Sequence, residues 1–209
     1  MSAVTNHSND TSQSSYFGDK FFAPEFSPIN RSITGHHADG SAHIVVQDQG
    51  EHHLLRKSAA NEFAETVLYT TFGSPVDLNG NDDLQAAREG WQGGHHAANG
   101  TRVTVLDLAP GGESPMHRGE SIDYNLVLEG EIELILDSGE VITLRRGDFN
   151  VQRCTAHKWK NITDGGKGPA RLFNVLVDIK PLVVNGKELK GFIDGHSGPY
   201  GFGTERRTT

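Results

Sequence analysis

The chain has 209 residues, enough for one domain of ordinary size plus a tail or arm, and a hydrophobic content of 35% points to one core with polar flanks. Its 19 basic and 27 acidic residues give a net charge of −8, which argues against nucleic acid, because phosphate binding needs clustered Lys and Arg. A single cysteine, Cys154, excludes an intrachain disulfide, and no apolar run approaches a membrane span.

Residues 1–15 are rich in Ser, Asn and Thr and too poor in apolar side chains to offset the entropy of ordering, so a disordered tail is expected there. They contain neither a basic leader nor an apolar stretch of signal-peptide type, which makes the cytoplasm the expected compartment. Residues 16–100 read as an N-terminal arm with added strands at Ala42–Gln47 and Glu65–Phe72. Leu54–Glu65 is either a short helix or a loop. Residues 79–100 are loop-like, between Asn79-Gly80-Asn81-Asp82 and Gly93-Gly94-His95-His96.

From residue 101 the pattern changes. Thr101–Leu108, Ile122–Leu128, Glu131–Leu136, Val141–Leu144, Phe149–Val151, His157–Ile162 and Leu172–Ile179 read as strands. Pro110-Gly111-Gly112, Gly130, Asp137-Ser138-Gly139 and Gly147-Asp148 separate several of them. Many short strands with closely spaced turns predict an all-β sandwich or barrel over 101–181. The Gly-rich residues 182–209 are a C-terminal extension.

The stretch from Pro110-Gly111-Gly112 through His117 to Asp123 ends a turn and enters a strand, with Gly130 seven residues further on. Later come Gly147-Asp148, His157 and Asn161. This layout resembles the two sequence motifs of the cupin superfamily, in order and at the expected separation, over roughly residues 100–180. The resemblance implies a double-stranded β-helix, or jelly-roll barrel. Carried over position by position, it implies His117, Asp123 and His157 as metal ligands and catalytic residues. It also marks departures. Gly119 stands where the second His of the first motif usually lies, Asp123 replaces a Glu, and Gln152 and Cys154 replace a Pro and a Gly.

Two imidazoles and one carboxylate suit non-heme Fe(II), and Zn(II) with three protein ligands is chemically acceptable too; Mn(II) or Ni(II) stay open. Strand alternation turns Asn125 and Val127 inward with Asp123, and Trp159 and Asn161 inward with His157, while Tyr124 faces out. Asn125, Trp159 and Asn161 are therefore candidate pocket residues for a small-molecule substrate, and Gln152, standing where the second motif has a proline, is another because it could aim an amide at the cavity. Cys154 has no His placed to activate it as a nucleophile. His36-His37, His52-His53 and His95-His96 read as surface or loop, because neighbours on a strand face opposite ways. The one alternative for these pairs is a fourth ligand from His95 or His96.

The runs Ser114-Pro115-Met116-His117-Arg118, Ser121-Ile122-Asp123-Tyr124 and His157-Lys158-Trp159-Lys160-Asn161 narrow the resemblance, together with Arg31-Ser32-Ile33-Thr34-Gly35-His36. They are similar to a subfamily of small single-domain cupins found in bacteria and in fungal gene clusters. Some fungal members lie in clusters for salicylaldehyde-type polyketides and are described as oxidoreductases. The resemblance thus implies a metal-dependent oxidoreductase of secondary metabolism acting on a small aromatic or polyketide-like molecule. A redox-neutral lyase or isomerase and a non-catalytic binding barrel are its alternatives, since one fold hosts many chemistries. Exposed strand edges also lead us to expect a homodimer.

Overall fold

A computed structural model describes residues 26–27, 29–49, 53–57, 62–90, 94–95 and 97–194. The expected tail at 1–15, His52, His96 and the last part of the C-terminal extension lie outside these residues. The described chain is built almost wholly from antiparallel strands. In order these are β1 (Arg31–His36), β2 (Ala42–Asp48), β3 (His53–Lys57), β4 (Glu62–Phe72), β5 (Gly100–Leu108), β6 (His117–Arg118), β7 (Ser121–Glu129) and β8 (Glu131–Leu136). Then follow β9 (Val141–Arg145), β10 (Phe149–Arg153), β11 (His157–Asn161), β12 (Ala170–Asp178), β13 (Val183–Val184), β14 (Lys187–Glu188) and β15 (Phe192–Ile193).

Two sheets face each other. One has the order β10-β7-β12-β5-β4-β3, the other β15-β6-β11-β8-β9. Alternating residues of both inner faces fill the space between them. Leu108, Ile132 and Leu172 are wholly buried, and Val127, Leu134, Trp159 and Phe63 join them in one cluster. Alternation along β7 is regular: Asp123, Asn125 and Val127 are buried while Tyr124 is exposed, as the period of two requires.

Two readings of the arm change. Where a helix or loop was expected over Leu54–Glu65, the chain forms β3 and the start of β4, which pair antiparallel from His53↔Thr66 to Lys57↔Glu62. The loop-like stretch 79–100 contains a helix, α1 (Asp82–Glu89). Polar anchors hold α1 rather than an apolar stripe, so hydrophobic periodicity gave no sign of it. Tyr69 donates its hydroxyl to Asp83 Oδ2 at 2.6 Å, and Arg31 Nη2 donates to the Ala87 carbonyl at 3.0 Å. Asp82 and Asp83 in the first turn and Arg88 in the last suit the helix dipole.

The turn between β7 and β8 rests on Gly130, whose φ of +84° disfavours any side chain. A Cβ there would also run into Thr163 Oγ1 and stand 3.0 Å from Ala170 Cβ and from the Pro169 carbonyl. Gly130→Ala is expected to destabilise the fold by about 2 kcal/mol, read from the midpoint of urea unfolding.

Candidate functional site

Between the sheets lies a cavity of about 70 Å³. The five-stranded sheet sends into it His117 from β6 and His157 and Trp159 from β11; the six-stranded sheet sends Asp123 and Asn125 from β7 and Glu65 from β4. Phe63, Leu106, Leu176 and Ile193 form the apolar wall, and Asn174, His95 and Ser114 also line it.

His117 and His157 face each other across the β6–β11 ladder as direct Cα partners, and their ring centroids lie 4.3 Å apart. Each ring is held in the same way. Nδ1 of His117 lies 3.0 Å from the Pro115 carbonyl, and Nδ1 of His157 lies 2.9 Å from that of Thr155. A carbonyl oxygen only accepts, so Nδ1 carries a proton in both rings, and in the neutral ring the lone pair is left to Nε2. Fixing of the tautomer by a backbone carbonyl is the usual outer support of a metal-ligating imidazole. Burial, with the neighbouring His117 ring as a smaller contribution, pushes the pKa of His157 down to about 3, against the Thr155 hydrogen bond; the ring is therefore neutral at physiological pH.

Asp123 lies in the opposite sheet and is 6% exposed. Burial raises its carboxyl pKa to about 6, opposed by the Ser121 hydroxyl, which donates to Oδ1 at 2.5 Å, and by the charge of Arg102. Trp159 stands edge-on to the His157 ring, centroids 5.2 Å apart, and is 4% exposed. Asn125 is buried beside Asp123 with its amide directed to Asn150 Oδ1 at 3.4 Å.

Two expected pocket residues lie elsewhere. Asn161 is buried, but its side chain is a backbone staple. Nδ2 donates to the carbonyls of Leu108, Ala109 and Gly168, and Oδ1 accepts from Thr163 N. Gln152 pairs with Asp123 across the β10–β7 ladder, yet lines a separate groove with Arg118 and Leu136. Its amide is taken up by Asn150 and Thr155. Strand parity gave the inward direction for Asn161 and motif position suggested it for Gln152; in both cases local hydrogen bonds decided the destination. Cys154 is buried, and burial pushes its thiol pKa upward, away from nucleophilic use.

His36 and His37 are exposed, and His37 stacks on His43, as expected for surface histidines. His95 is different. Its ring stands edge-to-face with that of His117 at 5.3 Å and lines the cavity. Behind it, Arg102 is wholly buried, donates from Nη1 to Glu65 Oε1 at 2.9 Å and to the His95 carbonyl at 2.8 Å, and approaches Glu65 Oε2 at 2.8 Å.

Residues 104–176 match the Cupin domain family. The chain is 42% identical over 167 residues to a cupin-domain-containing oxidoreductase of Aspergillus ruber, covering 80% of this chain and 81% of that one. It is 45% identical over 166 residues to a protein of the same description in Hypocrea virens, covering 79% of this chain and 84% of the relative. The chain belongs to the cupins. A further relative, phomopsin biosynthesis cluster protein D of Diaporthe leptostromiformis, is 39% identical over 171 residues, 81% of this cupin and 88% of its own length. The two facing antiparallel sheets of this cupin agree with the jelly-roll expectation.

Whether the cavity suits a divalent ion can be judged from its donors. Among the described residues of the cupin, no three imidazole, thiolate or carboxylate groups already stand gathered about one point. The donor types nevertheless fit: two imidazoles held at Nδ1 by backbone carbonyls and one carboxylate line the same cavity, a donor set that suits a divalent ion. No helix of the described residues is long and apolar enough to cross a membrane.

Glu65 and Arg102 escaped the sequence reading. The signal was present: each is a charged residue inside a strand of otherwise apolar or β-branched neighbours, where a buried charge demands a partner. Ser121 and Asn174, small polar groups at strand positions, carried no comparable mark.

Proposed function

We propose that this cupin binds one divalent ion through His117, His157 and Asp123 and works as an oxidoreductase on a small aromatic or polyketide-like molecule in secondary metabolism. The observation that carries the metal half is the matched fixing of both imidazoles, Nδ1 to a carbonyl two residues earlier, with a buried carboxylate in the same cavity. The relatives, described as oxidoreductases or as biosynthesis-cluster proteins, support the other half.

The chain's own groups divide the work. His117 and His157 offer neutral nitrogen, which costs little to bury, and Asp123 supplies the one negative charge. An ion nearby would favour the ionised carboxylate that burial alone disfavours. Fe(II) held by these residues would supply dioxygen-activating and electron-transfer chemistry. Phe63, Leu106, Trp159 and Leu176 exclude water and offer an apolar wall to a ring, while Asn125 and Asn174 can meet a hydroxyl or carbonyl oxygen of the substrate. At about 70 Å³ the cavity admits the reacting end of a molecule rather than a large body.

The test is metal analysis of protein purified without added metal, followed by anaerobic loading with Fe(II) and oxygen-uptake measurements with a panel of substituted phenols. We expect one ion per chain and uptake that disappears in His157→Ala. Full zinc occupancy, with turnover of the same compounds unchanged under argon, would establish a redox-neutral lyase or isomerase instead.

A further inference from the structure

We propose that His95 supplies the imidazole that the first motif lacks at Gly119, so that a loop residue completes the ligand set of the cavity; the inference rests on the metal reading above. Residue 119 lies just past β6, two positions after His117, where the first motif would place the side chain of its second imidazole. Glycine provides none. A Cβ built on Gly119 would lie 3.5 Å from Cδ2 and 3.9 Å from Nε2 of His95, so the His95 ring already fills the volume that a side chain at 119 would enter. That ring faces His117 at 5.3 Å between centroids and lines the cavity with His117, His157 and Asp123.

The placement of His95 is built rather than incidental. The His95 carbonyl accepts from Arg102 Nη1 at 2.8 Å, and Arg102 is itself wholly buried and paired with Glu65. A buried cation held on one side by a carboxylate fixes the backbone of the loop that it bonds on the other. Two residues on, Ala97 is 1% exposed and its carbonyl accepts from Gly100 N at 3.0 Å, anchoring the loop's far end at the start of β5. Arg102 and Glu65 thereby act as positioning residues for the imidazole.

Gly119 also matters for Asp123. A Cβ at 119 would stand 2.8 Å from Ser121 Oγ, the hydroxyl that donates to Asp123. Moving the imidazole from the strand to the loop leaves that hydroxyl in place.

The geometry makes a swap testable. Gly119 has no left-handed φ, so a histidine is conformationally allowed there once the His95 ring is gone and Ser121 turns aside. Apo protein is titrated with Co(II), following the ligand-field bands for affinity and counting hyperfine-shifted imidazole N–H resonances by NMR. We expect three such resonances in the unaltered chain and two in His95→Ala, with Co(II) affinity lowered at least about 100-fold, at or beyond the upper end of what loss of an outer-shell support costs. The double substitution His95→Ala with Gly119→His should recover the third resonance and most of the affinity. His95→Gln, which keeps the bulk of the side chain, guards against a folding defect and should behave as His95→Ala does. Tight Co(II) binding by the unaltered chain with only two resonances, or with equal affinity in His95→Ala and His95→Gln, would overturn the role of His95 and leave the metal reading standing. No Co(II) binding by the unaltered chain would overturn both.

Discussion

Arg102→Met is expected to lower the unfolding free energy by about 3–5 kcal/mol, because it leaves the Glu65 carboxylate buried without its cation. Arg102 is wholly buried, bonded to Glu65 on β4 and to the His95 carbonyl, and Glu65 is 5% exposed, so bulk water has little access to either partner. Much of the cost is desolvation of the group left behind rather than loss of a favourable pair. The double change Arg102→Met with Glu65→Leu should therefore recover most of the loss, as expected when both ions are removed together. Urea unfolding of the two single variants and the double gives the cycle. A loss below about 1 kcal/mol in Arg102→Met would mean that the pair is far more hydrated than its burial indicates.

Asn161→Ala is expected to cost about 3–5 kcal/mol, since each buried polar group stripped of its partner costs about 1–3 kcal/mol and one side chain serves four backbone groups here. The carbonyls of Leu108, Ala109 and Gly168 and the N–H of Thr163 all meet it. These bonds draw the end of β5, the end of β11 and the turn before β12 onto one point. Some of the freed carbonyls will find water, which keeps the figure below the full sum. Thermal unfolding measures the loss, and metal content per folded chain should not change. A drop in metal content with normal stability would return Asn161 to the cavity wall as a pocket residue.

The barrel half of the fold was legible because its signal is local. Alternation in Ile122–Leu128 and Glu131–Leu136, with Gly130 between them, marks β7, the turn and β8 within a residue or two. The helix α1 was not legible, because Tyr69, Arg31 and buried polar groups hold it and no apolar stripe records that. The cavity was legible where motif position and strand parity coincide, as at His117, Asp123, His157, Asn125 and Trp159. Parity was insufficient at Asn161 and motif position at Gln152, where short-range hydrogen bonds take up the amide. For His95 neither signal applied. It sits in a loop whose path depends on Arg102, seven residues later, and on Glu65, thirty residues earlier.

The pairing of β4 with β5 reaches beyond this cavity. A chain trimmed to begin at Thr101 would keep every motif residue and still lose a wall of the barrel. Leu106 and Leu108 would lose the cover of Phe63, Arg102 would lose the carboxylate of Glu65, and the bared rim of Thr101–Leu108 would offer its amide groups to any passing strand. Such a fragment should aggregate on expression. The smallest unit that folds alone is thus expected to begin no later than the strand carrying Glu65, and attempts to shorten the chain or graft onto it belong upstream of that point.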